Sequence, residues 1–270
     1  MSKVGYKAAF KSTFKKLCTV CVVALMVVLT GCGGGSYSGG TSGGGGGTNY
    51  TGQAQGVYSG TSSNGYSFES IVLPNDKFYG IYGTVSGNVL SIFGMVTGQG
   101  TSGNNTFTAS TVTDFVYTGT TNTGSLTATD VPGSSINGTL TENGTPITFT
   151  GTALPSSSFN YNTSASVSDI TGTWTGSLLD GMSTTVTINS NGSLSGSSSG
   201  CSFTGTVTAD SSNKNFFDVS LTFGASPCSL PNQTATGIGV YYLLSDGVTH
   251  QLLAGVTMGT SFGTVFAAQR

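Results

Sequence analysis

Apolar and polar residues alternate in short runs along most of the chain after residue 50. Residues 185–188 (TVTI) and 201–208 (CSFTGTVT) alternate cleanly, and residues 66–71 (YSFESI) keep most apolar side chains on one parity. A period of two places one face of a β-strand in a core and the other in water. Beyond the first 32 residues, no stretch combines a 3.6-residue period with helix caps. The pattern therefore predicts an all-β fold.

Turn signals separate these runs. They are Asn64-Gly65, Asn137-Gly138, Asn143-Gly144, Asn191-Gly192 and Asp246-Gly247. Asn-Gly supplies the positive φ angles of the type I′ turn, which favours two-residue hairpins. Successive hairpins without helices predict an antiparallel meander, and closing a meander into a barrel removes its exposed edges. A membrane-spanning barrel is an alternative interpretation, and it needs strands of roughly 9–11 residues. We expect shorter strands here, which argues against it.

A short motif occurs twice. Gly56-Val57-Tyr58-Ser59-Gly60 and Gly172-Thr173-Trp174-Thr175-Gly176 both have the form G-x-aromatic-x-G. Each precedes about eight alternating runs, and such self-similarity indicates a repeated unit. We predict two tandem small antiparallel meander barrels of about eight strands each, over residues 51–155 and 169–270. A polar linker, residues 156–168, joins them.

The N-terminus has the layout of an export signal. Five lysines and no acid occur in residues 1–16, and residues 17–29 are apolar apart from Thr19. A basic stretch, an apolar core and a small-residue cleavage site define such signals. The apolar core is shorter than the roughly 20 residues that a transmembrane helix needs. We predict a signal peptide over residues 1–31.

The cleavage site Leu29-Thr30-Gly31-Cys32 resembles the lipobox of bacterial lipoproteins. That resemblance implies that Cys32 is lipidated and becomes the mature N-terminus. Two or more acyl chains would then hold the protein firmly at a membrane. Gly33 follows the Cys, whereas an Asp at this position tends to retain enterobacterial lipoproteins at the inner membrane. We therefore expect a lipid anchor at the cell outer membrane, facing either the periplasm or the exterior.

The chain after Cys32 begins with a Gly-rich segment and has a negative net charge. Residues 33–48 hold ten glycines in sixteen and no charge, which predicts a flexible tether within residues 32–50. Removing the signal removes five of the eight basic residues and leaves all ten acids, a formal charge of 3 − 10 = −7. An acidic chain without basic patches argues against a nucleic-acid partner.

The remaining cysteines form an even pair. Cys18 and Cys21 leave with the signal and Cys32 takes the lipid, which leaves Cys201 and Cys228. In an oxidising compartment this pair predicts a disulfide, worth on the order of 3 kcal/mol by the loop-entropy model. Two buried free thiols are the alternative. A metal site would lack ligands, so we expect no metal and no cofactor.

Candidate chemistry is thin. His250 is the one histidine, and no G-x-S-x-G match sits at a strand-to-helix elbow, so the sequence does not predict a triad. The acids show no paired spacing and are expected to be solvated. Tyrosines at positions 79, 82, 241 and 242 are candidate ligand contacts, because outward aromatic rings stack on sugars or anchor protein partners. Of the neighbours Phe78 and Tyr79, one is expected to point outward.

Two further resemblances concern architecture. The G-x-W-x-G motif around Trp174 is similar to the first strand of lipocalin-type barrels. A Gly-rich tether before eight-stranded units resembles Gram-negative surface lipoproteins, such as the barrel parts of transferrin-binding lipoproteins. Together these features favour a non-enzymatic envelope lipoprotein that serves as a binding, adhesion or structural module, with a glycan or protein partner. A carrier of a small apolar ligand inside one barrel is the first alternative, and a hydrolase the second.

Overall fold

The computed structural model describes residues 52–86, 89–157, 159–244 and 247–270. The predicted signal peptide, Cys32 and the tether lie outside these residues. The described chain is nearly all β and forms two closed eight-stranded antiparallel barrels, which confirms the predicted fold class. One four-residue helix, α1 (Val167–Ile170), precedes the second barrel and was not predicted.

Barrel 1 is a meander of nine strand segments. They are β1 (Gly56–Ser62), β2 (Ser67–Val72), β3 (Lys77–Ser86), β4 (Val89–Gln99), β5 (Thr101–Gly103), β6 (Thr106–Val116), β7 (Thr121–Val131), β8 (Ser135–Glu142) and β9 (Thr145–Ala153). The segments β4 and β5 both pair with β6 and are separated by Gly100, so they occupy one position in the ring. Pairing of β1 with β9 completes the barrel.

Barrel 2 is a second meander. Its strands are β10 (Gly172–Leu178), β11 (Ser183–Ile188), β12 (Ser193–Ser198), β13 (Cys201–Ala209), β14 (Phe217–Phe223), β15 (Thr234–Leu243), β16 (His250–Met258) and β17 (Phe262–Gln269). Each strand pairs with the next, and β10 pairs with β17 to close the ring. Several strands of both barrels reach 9–11 residues, so the expectation of uniformly short strands was wrong.

The hairpin signals were partly right. Asn143 and Gly144 have φ angles of 47° and 81° between β8 and β9, as a type I′ turn requires. Asn137 and Gly138 instead lie within β8. A β-carbon at Gly138 would lie 2.2 Å from the carbonyl oxygen of Thr127, so this glycine permits a close strand approach rather than a turn.

The repeated motif opens both barrels in the same way. The Tyr58 hydroxyl donates to the carbonyl of Ala54 at 2.9 Å, and Trp174 Nε1 donates to the carbonyl of Ile170 at 2.8 Å. In each barrel the aromatic side chain is fully buried and ties the first strand to the segment four residues earlier, which covers one end. The motif is therefore a structural repeat, consistent with tandem barrels.

The two barrels pack against each other through a continuous apolar cluster. Outward-facing side chains of barrel 1, including Met95 and Phe115, meet the outer face of β16 and β17. The glycines Gly255 and Gly263 provide the space, since β-carbons there would lie 2.8 Å from Met95 Sδ and 2.4 Å from the Phe115 ring. The interface thus depends on glycine, which has no side chain, at positions 255 and 263.

The linker packs against both barrels. Phe159 and Tyr161 are buried in the same apolar cluster. The Tyr161 hydroxyl donates to the Val72 carbonyl of barrel 1 at 3.1 Å, and the Tyr161 carbonyl accepts from the backbone of Asn215 in barrel 2. Burial of these rings makes the linker part of the interface rather than a spacer.

We predict that Gly263→Ala weakens docking of the barrels. The new methyl group would overlap the Phe115 ring, and overpacking a filled site costs about 1–3 kcal/mol. Calorimetric unfolding should show a lower midpoint or a split into two transitions. Gly80→Ala is the matched control, because its nearest neighbour would be 3.5 Å away. A Gly263→Ala protein that unfolds like the wild type would contradict the role given to Phe115.

Candidate functional site

The interior of barrel 2 contains a cavity of about 220 Å³. Alternate residues of all eight strands point into it, because strand pleating sends every second side chain to the same face. The wall is mainly aliphatic and aromatic, and includes Val186, Leu194, Phe203, Leu221, Ala254 and Phe266. An apolar concave space with a few polar groups is the usual form of a small-molecule site.

One end of this cavity is closed. Ile170, at the end of α1, is fully buried and forms part of the floor. Beneath it the Arg270 guanidinium lies 4.0 Å from the centroid of the Trp174 ring. Arg270 also donates to the carbonyls of Thr171 and Asp169 at 2.9 and 3.0 Å. These contacts fasten the helix across the end of the barrel.

The opposite end carries the loops that form a mouth. The disulfide between Cys201 and Cys228 joins the start of β13 to the loop of residues 224–233. Leu230 and Ser229 of that loop line the cavity, as do Met182 and Asp180 of the facing turn. The disulfide therefore holds one lip of the mouth in place.

The lining is nearly free of charge. Among the described residues that line the cavity, Asp180 at the rim carries the one formal charge, and polar contributions otherwise come from hydroxyl groups such as Thr184 and Ser198. Asp180 is exposed to solvent. No cation faces the cavity within that lining, so a ligand carboxylate would find no partner there. The electrostatics favour a neutral apolar molecule.

A second site lies at the end of barrel 1 opposite the segment 52–55. Four aromatic side chains, the aromatic rim, form a chain of contacts: Tyr82 with Tyr66 at 5.6 Å, Tyr66 with Phe93 at 5.6 Å, and Phe93 with Tyr117 at 5.5 Å between ring centroids. Tyr117 is half exposed, while Tyr66, Tyr82 and Phe93 are half-buried. Ring contacts at these distances are favourable in their own right.

Tyr82 connects the aromatic rim to a buried carboxylate. Its ring lies across Gly94, where a β-carbon would be 2.3 Å from the hydroxyl. The hydroxyl donates to Asp114 Oδ2 at 2.9 Å, and Asn122 donates to the same oxygen at 3.4 Å. Asp114 Oδ1 is buried and has no hydrogen-bond partner. Burial raises the pKa of Asp114 against the opposing effect of these two donors.

Glu142 lies near the same end. Its strand neighbour is Gly124 of β7, the strand that also carries Asn122. Burial raises the pKa of Glu142 to about 7, and the charge of Asp114 adds to the effect. The barrel end therefore contains two carboxyl groups whose ionised forms disfavour each other.

Two further acids lie at the covered end of barrel 1. The carboxylate of Asp76 accepts from the backbone of Gly52 and Ser102 at 3.0 Å and from the Ser102 hydroxyl at 2.7 Å. Asp130 is fully buried and neither carboxylate oxygen has a hydrogen-bond partner. The expectation that the acids are solvated was wrong for Asp76 and Asp114, which are buried.

The four candidate tyrosines fall into three places. Tyr79 faces out of barrel 1 and Tyr242 out of barrel 2, and both lie in the interface between the barrels. Tyr82 belongs to the aromatic rim, and Tyr241 packs against Trp174 at the closed end of barrel 2. Phe78 faces the core of barrel 1, so Tyr79 does point outward, but the second barrel covers it.

His250 is a structural residue at the closed end of barrel 2. Its ring stacks on Tyr241, with centroids 5.1 Å apart, and Nδ1 is hydrogen-bonded to the Tyr241 hydroxyl. Its backbone pairs with that of Arg270. In the ranges that the structure describes, no group of three or more His, Cys, Asp or Glu side chains is placed to hold a metal ion.

No protein-family model and no curated protein matches the chain. Among solved structures, transferrin binding protein B from serogroup B Neisseria meningitidis is 11% identical over 76% of this chain and 65% of its own, with a TM-score of 0.26. A candidate outer membrane protein from Bacteroides fragilis is 12% identical over 82% and 97%, with a TM-score of 0.25. A tryptophan-to-alanine variant of transferrin binding protein B from Haemophilus parasuis is 9% identical over 76% and 51%, with a TM-score of 0.28. The chain thus spans about two thirds and half of the two transferrin binding proteins.

The interface also contains an acid with a shifted pKa. Glu69 on β2 pairs with Ser59 and Ile81, whose strands form the face of barrel 1 that meets barrel 2. Burial raises the pKa of Glu69 to about 7, and its charge contributes to raising the pKa of Tyr242 across the interface. Docking of the barrels therefore places Glu69 in a setting that favours its neutral form.

We predict that Glu69→Gln flattens the pH dependence of stability. Because the folded pKa of about 7 exceeds the unfolded value, the folded state binds more protons, and the free energy of unfolding falls as pH rises from about 4.5 to 7. The neutral amide should remove this loss, on the order of 1–3 kcal/mol. Urea unfolding across this range measures it, with the exposed Asp180→Asn as control. Equal slopes in wild type and Glu69→Gln would contradict the prediction.

Proposed function

We propose that this protein is a lipid-anchored, non-enzymatic binding protein of the bacterial envelope, and that barrel 2 takes a small apolar molecule into its interior. The observation that carries the proposal is the cavity of about 220 Å³, lined by aliphatic and aromatic side chains. Contacts of Trp174 and Arg270 close one end, and loops border the other. Such a calyx supports binding without supplying a reaction.

The size of the cavity limits the ligand. An apolar cavity of about 150 Å³ accommodates benzene, so a molecule moderately larger than benzene fits here. The lack of a lining cation favours a hydrocarbon, an aromatic compound or an alcohol over a fatty acid. An alcohol could place its hydroxyl group near Thr184 or Ser198, which line the cavity. These polar groups would orient the ligand rather than provide most of the affinity.

The N-terminal sequence supports the proposed location of the protein in the cell. The run Leu29-Thr30-Gly31-Cys32 and the Gly-rich stretch behind it support lipidation at Cys32 and a tether that leaves the barrels free of the membrane surface. Within the described residues, no helix has the length and apolar character needed to cross a bilayer. We infer attachment to the outer membrane by the lipid, with a glycan or protein as a further partner of the barrels.

We predict that small neutral aromatics stabilise the protein and that Ala254→Phe abolishes this effect. A ligand that binds only the folded state raises the melting temperature with its concentration. The phenyl ring at position 254 would occupy the cavity that the ligand needs. Thermal melts with toluene and indole measure the shift, and nuclear magnetic resonance follows the methyl groups of the wall.

Ala209→Phe is the matched control, because Ala209 is exposed on β13. It should respond to toluene as the wild type does. If Ala254→Phe does not fold, Leu221→Phe fills the same wall from another strand. Absence of a saturable shift in the wild type, or an equal shift in wild type and Ala254→Phe, would overturn the assignment of the cavity.

We predict that Cys32→Ser releases the protein from the membrane fraction. Without the thiol no diacylglycerol is attached, and anchoring depends on about 0.8 kcal/mol per buried CH₂ of the acyl chains. Fractionation and labelling with radioactive palmitate test this, and Cys201→Ser is the control that keeps Cys32. Protease treatment of intact cells then reports which side of the membrane the barrels face. Palmitate incorporation into Cys32→Ser would refute the anchor.

A further inference from the structure

The aromatic rim of barrel 1 and the carboxyl groups beneath it form a site distinct from the cavity of barrel 2. Strand pairing places Asp114 of β6 opposite Asn122 of β7, and Glu142 of β8 opposite Gly124 of β7. Three adjacent strands thus bring two carboxyl groups and one amide to the same end of the barrel. Asn143 extends the row, since its amide donates to Asn122 Oδ1 at 3.2 Å.

The charge of this site is unbalanced. Lys77 is the single Lys, Arg or His in residues 52–157, and it starts β3 at the covered end of the barrel. Asp114 and Glu142 lie at the opposite end, near the ends of their strands. No positive group of the described barrel is therefore placed to compensate them. Buried carboxyl groups without a cation favour their neutral forms, and a cationic ligand would stabilise the ionised forms instead.

The hydrogen bonds of Asp114 are also incomplete. Oδ2 accepts from Tyr82 and Asn122, but Oδ1 is buried and has no partner. Asp114 is only 2% exposed, so this unpartnered oxygen lies within the end of the barrel. A buried acceptor left unsatisfied calls for a donor, and a charged donor forms the stronger bond with a carboxylate.

The rings above the carboxyl groups select the kind of cation. Tyr66, Phe93 and Tyr117 present faces and edges at the mouth, and Tyr117 is 50% exposed. Aromatic faces attract organic cations, whereas a hydrated metal ion gains little from them. A sugar would stack on the rings, but it would not neutralise the two carboxyl groups.

We propose that the mouth of barrel 1 binds a primary ammonium group attached to an alkyl chain. The N–H groups would donate to Asp114 Oδ1, the positive charge would offset Asp114 and Glu142, and the alkyl chain would leave between the rings of the aromatic rim. Free amines and the side chain of lysine share this chemistry. The proposal is independent of the cavity in barrel 2, and either site can fail without the other.

The first experiment is a calorimetric titration of the disulfide-bonded protein with butylammonium chloride at low ionic strength. Saturable binding is expected, with tetramethylammonium weaker because it has no N–H group to reach Asp114 Oδ1. Asp114→Asn should lower the affinity at least tenfold, and Tyr117→Ala about two- to fivefold. Asp218→Asn, the same change at an exposed position of β14 outside both sites, should leave it unchanged.

Further ligands distinguish a free amine from a lysine side chain, and an ammonium site from a sugar or metal site. Binding of 1,4-diaminobutane above Nα-acetyl-lysine amide would indicate a free amine, and the reverse order a lysine of a protein partner. Absence of saturable butylammonium binding at millimolar concentration would overturn the proposal. Binding of methyl glucoside or Ca²⁺ in place of butylammonium would also overturn it. The same holds if Asp114→Asn and Tyr117→Ala leave butylammonium binding unchanged. Tyr82→Phe, which keeps the ring over Gly94, is the second variant if Asp114→Asn does not fold.

Discussion

The contact between the two barrels determines which parts of their surfaces are available. Phe115 and Met95 of barrel 1 fit against Gly263 and Gly255 of barrel 2, where the absence of side chains lets the strands approach. Close packing of this kind is lost when a single methyl group is added. The interface covers Tyr79 and Tyr242 and raises the pKa of Glu69. Both proposed binding sites lie at barrel ends, outside this interface.

The same motif opens both barrels, yet the barrels differ in what they enclose. Tyr58 and Trp174 make equivalent bonds to the backbone four residues earlier. Barrel 2 adds Arg270 over the tryptophan and keeps an apolar cavity above it. Barrel 1 instead has carboxyl groups at both ends of its interior. A shared scaffold thus holds one interior suited to apolar molecules and one suited to cations.

The sequence predicted the strands, the tandem barrels and the disulfide, because alternation and cysteine pairing are local signals. It missed Asp114 for a physical reason. In β6 the inward residues are Phe107 and Ala109 before a bulge and Val112 and Asp114 after it. A bulge shifts the parity by one residue, so alternation counted from Phe107 would place Asp114 outside. The Asn-Gly pair within β8 misled in a similar way, since the contact across strands that Gly138 permits is invisible in the sequence.

The distribution of charge is the most informative property of this chain. Its surface gains solubility from hydroxyl groups, such as the pairs of Thr173 with Thr187 and Thr175 with Thr185 on exposed strand faces. Only 7% of residues are charged. Yet all five acids of barrel 1 are buried or half-buried, whereas Asp169, Asp180 and Asp218 of the second half are exposed and Asp210 is half-buried. Burial of a carboxyl group costs free energy that an exposed position would avoid. A chain with so few charges that places Asp114 and Glu142 together at one barrel end has the arrangement expected where a cationic ligand recovers part of that cost.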